Sequence, residues 1–394
     1  MRAALLLSAA LIASPAIAQT NNQYQGGDAT ATTVVDVGQT EDAAATAVAS
    51  GNVVTVQADD ADAFMLNDQH MDGDTTAVAT SDIDSADGNT VTSSAAVANG
   101  ATAELRGSTV TIDALTLAHG DTTAITNATG DYAVNAATSA SAAGNVAAVS
   151  TEYSDAELLI AQESTGSTIA AVNADHGHVD EQVVSGAIAS ANNLSVTGYT
   201  TTLLSRTRQT ADGDDVTASV NLNAEHAHDA SGNATASANS IALDNQWGHL
   251  ETRVIQNASA NVSASSEVTL GDHFHGFGSA GAYGVGNQTL VSNVGSDTLM
   301  NTVQDNVGDI SANAAFSGQG GDSALASAAA YGNNVEGALC SQCEVNVPSL
   351  VANNNQTNAG DVSSNARVTS AYTNTAAASA TAIGNAATYS ARGP

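Results

Sequence analysis

Three His-x-His pairs, His176/His178, His226/His228 and His273/His275, recur in this chain with starts 50 and 47 residues apart. On a β-strand, residues i and i+2 project from one face, so each pair could offer two imidazoles to one Zn²⁺ or Cu²⁺ ion. Asp180, Asp229 and Asp272 stand close by and could add an oxygen ligand. The same spacing fits a repeated polar turn with solvent-facing rings, or a pH-responsive stack whose imidazoles repel once protonated below about pH 6.5. Acidic clusters at Asp72-Gly73-Asp74, Asp82-Ile83-Asp84, Asp87-Gly88-Asn89 and Asp212-Gly213-Asp214-Asp215 invite a calcium reading. None has the oxygen spacing of a helix-loop calcium site or the strict Gly-Gly-x-Gly-x-Asp nonapeptide, so they read as solvated turns. Cys340 and Cys343 are the only cysteines. Two thiolates make half of a structural zinc set, and no basic neighbourhood lowers their pKa, so a small disulfide-closed loop outside the cytoplasm is expected. These motifs imply no cofactor.

Charge narrows the function classes. Forty acidic side chains stand against seven Arg and no Lys, a formal net charge of −33. Phosphate binding needs a basic footprint, so nucleic acid is excluded as a partner. The acidity suits solubility through self-repulsion, cation binding, or a repulsion that delays self-assembly until export. Ser, Asp and His are too abundant for composition to mark a hydrolytic triad. Paired carboxylates could hydrolyse glycosides if they stood about 5–9 Å apart, but a uronate lyase wants more basic groups than six Arg beyond Arg2 supply. The chain therefore reads as a non-enzyme, with Trp247 either covering a rung or stacking on sugar.

Something regular must position these residues. Gln162, Gln209, Gln256, Gln304 and Gln356 are separated by 47, 47, 48 and 52 residues, and Asn145, Asn193, Asn239, Asn287, Asn333 and Asn385 keep the same beat. Periods of this length mean stacked supersecondary units. Within each unit, small or apolar residues alternate with polar ones, the period of a half-buried strand. Val216, Ala218, Val220, Leu222 and Ala224 fall on one face, with Thr217, Ser219, Asn221 and Asn223 on the other. The same alternation runs through Ala45–Ala49, Ser139–Ala143, Ala258–Ser266 and Ala376–Ile383. With 3% aromatic residues, a broad core of large side chains cannot be built. An all-β, repetitive β-solenoid with units of about 47 residues follows, and a unit this long predicts about two coils. Amides repeated on successive rungs would hydrogen-bond to their copies above and below.

The chain divides into three parts. Arg2, the apolar run Ala3–Ala13 and Ala16-Ile17-Ala18 read as a secretory signal over 1–18. Residues 19–38 are polar and glycine-bearing and read as a flexible leader. The solenoid spans 39–394, less regular over 90–160, where the glutamine expected near position 115 is missing.

Gly51-Asn52-Val-Val-Thr-Val-Gln57, Leu250-Glu-Thr-Arg-Val-Ile-Gln256 and the leader Gln23-Tyr24-Gln25-Gly26-Gly27 resemble rungs and export segment of curli-type amyloid subunits. The curli repeat is about half as long as this unit, in keeping with two coils. Across nearly the whole chain, the signal, the Ala/Thr/Asn/Gly-rich alternation, the absence of lysine, the acidity and the segment Gly332-Asn333-Asn334 to Cys340-x-x-Cys343 resemble the HfaD holdfast-attachment family of stalked alphaproteobacteria. That resemblance implies a protein at the outer face of the outer membrane, exported through a curli-pore-like channel. It implies work with companion surface anchor proteins to fasten an adhesive polysaccharide, and the exposed ends of the stack allow self-association. No catalytic residue is implied.

Overall fold

The computed structural model describes residues 16–392 apart from 108, 214, 274 and 342–346. It is all-β, and its strands follow one another as eight coils of a solenoid. Coil 1 holds β1 (Ala16–Gln25), β2 (Ala29–Thr40) and β3 (Ala43–Asp59); coil 2 holds β4 (Asp62–Met71), β5 (Thr75–Ala86) and β6 (Asn89–Arg106). In coils 3 to 5 the second and third strands fuse: β7 (Thr109–Ala118) with β8 (Thr122–Glu152), β9 (Asp155–Ser164) with β10 (Thr168–Tyr199), and β11 (Thr202–Ala211) with β12 (Asp215–Gln246). Coil 6 splits them again into β13 (Leu250–Ala258), β14 (Asn261–His273) and β15 (Phe277–Val294). Coils 7 and 8 are β16 (Thr298–Asn306) with β17 (Ile310–Cys340), and β18 (Leu350–Asn358) with β19 (Val362–Arg392).

Every strand pairs in parallel with its counterpart one repeat away, as Gln162↔Gln209↔Gln256 and Ala170↔Ala218 show. One 47-residue unit is therefore one coil, and the expectation of two is corrected. The reason lies in the long strand. At its middle, around Gly177, the inward/outward alternation breaks and the strand turns so that its two arms face each other within one coil; the ladder to the next coil slips just beyond, between Val179 and Gln182. Thr126 Oγ1 donates across this gap to the Ser139 carbonyl at 2.6 Å, and Ser81 Oγ lies 2.6 Å from Thr92 Oγ1. Only small side chains leave arms close enough for such contacts, which is what the Ala/Ser/Thr alternation supplies.

Two more expectations change. The flexible leader is instead β1 and β2, paired with β4 and β5 as the first coil. Its polar residues are ladder members, since Asn21 Nδ2 donates to Asn67 Oδ1 at 2.7 Å. Residues 90–160 stay paired with the coils on either side, Asn99↔Asn145 and Leu115↔Ala161, so the missing glutamine is a substitution and not a gap. Of the signal read at 1–18, residues 1–15 lie outside the described residues, and Ala16–Ala18 open β1.

Each coil encloses two apolar compartments. Between the arms of the long strand runs a column of Ala and Val, including Ala170, Val172, Ala187 and Ala189, all buried. Between the short strand and the end of the long one, larger aliphatics such as Leu158, Ile160, Leu194, Val196, Leu203 and Leu243 fill a second compartment. Val216, Ala218, Val220, Leu222 and Ala224 all point into the first.

Candidate functional site

Where the two compartments meet, the sequence places amides. Asn52, Asn99, Asn145, Asn192, Asn239, Asn287, Asn333 and Asn385 form one ladder, the Nδ2 of each of the first seven donating to the Oδ1 of the next coil at 2.7–2.9 Å. The second amide proton goes to a backbone carbonyl of the short strand, as in Asn192 to Thr210 and Asn239 to Asn257, both 2.8 Å. The member in coil 4 is Asn192 and not Asn193. Alternation turns one of two adjacent asparagines inward and the other outward, and spacing alone could not choose between them.

Beside it runs the glutamine ladder with the opposite polarity. Gln209 Nε2 donates to Gln162 Oε1 at 2.7 Å, and Gln256, Gln304 and Gln356 each donate to the preceding glutamine at 2.8 Å. Gln69 likewise donates to Gln23 at 2.9 Å. Neighbouring chains of amide dipoles thus run antiparallel and offset one another. Thr116 occupies the glutamine position in coil 3, paired to Gln69 and Gln162, and its buried Oγ1 has no hydrogen-bond partner. Thr116→Gln is expected to restore the ladder and raise stability by about 1 kcal/mol, since a satisfied buried amide bond contributes about that much. Urea denaturation checks it, and a lower midpoint would show that the site is shaped for threonine.

The His-x-His pairs do not each converge on a point. Gly177 breaks the alternation, so His176 is buried while His178 is exposed. Burial holds the His176 imidazole below its usual pKa, and its Nε2 is unpartnered. The outward rings stack between coils instead: His178 lies parallel to His226 at 4.4 Å, and His226 meets His275 edge-on at 6.2 Å. His228 Nδ1 is 3.3 Å from Asp229. The side chain of His273 and all of Cys343 lie outside the described residues; Cys340 is half-buried at the end of β17.

Two Tyr–His–Asp groups sit on this fold. In one, Tyr132 donates its hydroxyl to Asp180 Oδ2 at 2.6 Å, and His178 Nε2 lies 2.9 Å from Asp180 Oδ1. The Tyr132 and His178 hydrogen bonds hold the Asp180 carboxyl below its ordinary range. In the other, Tyr24 donates to Asp72 Oδ2 at 2.7 Å, while His70 Nε2 and His119 Nδ1 lie 2.8 and 2.9 Å from Asp72 Oδ1. Those two ring nitrogens are 3.0 Å apart. Among the described residues this is the one group of three whose ligand atoms all lie within 4.8 Å of one another. His70 and His119 stand 49 residues apart, near the repeat, and that spacing was the available signal.

The acidic clusters have a structural use. Asp28, Asp74 and Asp121 each accept the backbone N–H of the corresponding corner one coil on, from Asp74, Asp121 and Ser167 at 2.8–3.0 Å. Asp297 accepts both the N–H and the hydroxyl of Ser349, which hold its carboxyl below the ordinary range. Asp82 accepts from the Thr129 hydroxyl at 2.7 Å, and Asp212 from that of Ser259.

On the outward face of the short-strand sheet, Phe64, Leu66, Leu115, Val303 and Val351 are exposed. Doubled aliphatics such as Leu158-Leu159 and Leu203-Leu204, which break the small/polar alternation, are its trace in the sequence. Across this face Asp113, Leu159, Arg206, Arg253 and Asn301 stand in register on successive rungs. Asp113, Leu159, Arg206 and Arg253, with Arg208 and Ile255, line an open groove of about 560 Å³. Half of the six Arg beyond Arg2 meet here on a strongly acidic chain.

No curated relative and no solved structure matches the chain. A family model described as HfaD, holdfast attachment protein D, matches residues 37–309, from within coil 1 to the last residue before β17. The chain belongs to the HfaD holdfast attachment family, and its role is one of attachment at the cell surface.

Proposed function

We propose that this protein is exported by the segment 1–18 to the outer face of the outer membrane, where it holds an adhesive polysaccharide to the envelope as a non-catalytic anchor. The outward face of the short-strand sheet carries this reading. Arg206 and Arg253 lie in register on neighbouring rungs, about 4.8 Å apart along the stack, where like charges repel unless something with oxygen acceptors lies across them. Glu157 is 3.8 Å from Arg206 and compensates one guanidinium from the side. Flanking aliphatics offer flat apolar surface to the C–H faces of sugar rings, and the guanidiniums offer donors to their oxygens. Contact spread over eight rungs gives attachment by many weak interactions. Companion anchor proteins and a curli-pore-like export channel belong to the same reading.

Self-association is part of it. The strands of coil 1 pair only with coil 2, and those of coil 8 only with coil 7, so among the described residues each end of the stack presents an open row of backbone donors and acceptors. Deletion of the gene tests the anchor. Adhesive should remain on the surface while cells wash off, and the intact gene should restore attachment. A folded, exported chain carrying Arg206→Glu and Arg253→Glu should restore it poorly. Adhesive that stays on the deleted cells would refute the anchor; full restoration by the Glu variant would refute the face.

A further inference from the structure

We infer that His70, Asp72 and His119 form a binding site for one divalent transition-metal ion, of the Zn²⁺ or Cu²⁺ class, that clasps the first three coils together. The site is not among the His-x-His pairs and does not depend on the proposed anchoring role. Its three ligand atoms, His70 Nε2, His119 Nδ1 and Asp72 Oδ1, form a triangle with sides of 2.8, 2.9 and 3.0 Å. Protons alone cannot satisfy that triangle. An ionised carboxylate only accepts, so both ring nitrogens must carry a proton to bond to Asp72, and they then face each other as two donors; if either gives up its proton, its contact with Asp72 opposes two lone pairs. A cation at the centre accepts all three lone pairs at once. A tetrahedral zinc ion with bonds of about 2.0–2.1 Å sets its ligands about 3.3 Å apart, so the three atoms need to spread by only a few tenths of an ångström. Two imidazoles and one carboxylate are the donor set that Zn²⁺ and Cu²⁺ favour over Ca²⁺ and Mg²⁺.

The surroundings hold the ligands in place. Tyr24 donates to the other oxygen of Asp72, leaving Oδ1 toward the imidazoles, which is the outer-shell arrangement that orients a carboxylate ligand. The Tyr24 ring meets His70 edge-on at 5.3 Å and His70 meets His119 edge-on at 4.7 Å, fixing the ring planes. His70 and Asp72 leave the end of β4, His119 follows β7 and Tyr24 belongs to β1, so an ion here ties coils 2 and 3 directly and coil 1 through the tyrosine. The second group is an internal comparison. Tyr132, His178 and Asp180 reproduce the tyrosine, the histidine and the carboxylate, but His226 from the next coil stacks flat on His178 at 4.4 Å instead of turning a nitrogen inward. Only the first group completes a three-ligand site.

The full mature chain titrated with Zn²⁺ alone, by calorimetry at neutral pH, should bind one ion saturably, and the ion should raise the thermal midpoint. His70→Gln or His119→Gln should abolish both effects, Tyr24→Phe should weaken binding about 10- to 100-fold, and His178→Gln should change neither. X-ray absorption at the zinc edge of the wild-type chain needs no variant and should show two imidazole nitrogens with oxygen and no sulfur. Absence of saturable binding, binding that survives both His70→Gln and His119→Gln, or sulfur in the coordination sphere overturns the site.

Discussion

Asn239→Ala is expected to destabilise the solenoid by about 4 kcal/mol. The side chain is fully buried and takes part in three hydrogen bonds: it accepts from Asn192 at 2.9 Å and donates to Asn287 and to the Asn257 carbonyl, both at 2.8 Å. Alanine removes none of those partners, so three buried polar groups lose a bond where water does not reach, at about 1–3 kcal/mol each. The loss falls where the two apolar compartments meet, and in a stack each coil is held only by its neighbours. Asn173 is the matched control. It also bonds to the asparagine one coil away, Asn127 at 3.0 Å, but on the exposed face, so Asn173→Ala should stay within about 0.5 kcal/mol of wild type. Guanidinium denaturation of both variants decides it. Equal shifts would mean that the buried ladder contributes no more than the surface one, contrary to its proposed part in holding the rungs.

The second large effect is expected at Phe316. It is the largest of the fully buried side chains, the one aromatic ring in an aliphatic compartment among the described residues, between Val268 and Val368 in register. Room for the ring comes from Gly278 of the preceding coil, where an added Cβ would lie 2.3–2.4 Å from Phe316 ring atoms. Phe316→Ala should therefore cost about 3–5 kcal/mol through lost burial and a cavity, and Gly278→Ala about 1–3 kcal/mol through overpacking. The double variant removes the ring that the new methyl would strike and places that methyl in the vacated space. Its cost should fall at least about 1 kcal/mol below the sum of the single costs, as expected for contacting residues. Strict additivity in the same denaturation experiment would show that the glycine does not make the phenylalanine's space.

Much of the architecture was legible in the chain because a solenoid is periodic, and periodic structure writes itself into sequence as spacing. The beat of Gln162 to Gln356 and the alternation through Val216–Ala224 require only that identical coils stack, and they carried the all-β solenoid and its unit length. Scarce aromatics likewise pointed to a narrow core, and Ala and Val make up most of the compartment between the arms. Facts that depend on a break in the period were not legible. The break in alternation at Gly177 sends His176 inward and His178 outward, which separates rings that a regular strand would pair. Asn192 in place of Asn193 is a choice of phase that spacing does not record.

The sequence by itself determined what repeats, because each coil obeys the same local rule of small-in and polar-out. The tertiary structure alone decided what meets. His70, Asp72 and His119 belong to two coils, Tyr24 to a third, and Arg206 and Arg253 to adjacent rungs, so residues 46 to 49 positions apart become neighbours only when the coils stack in register. Convergence at those points depends on side-chain direction at corners and on sheet faces, and these directions are set by how one coil lies on the next.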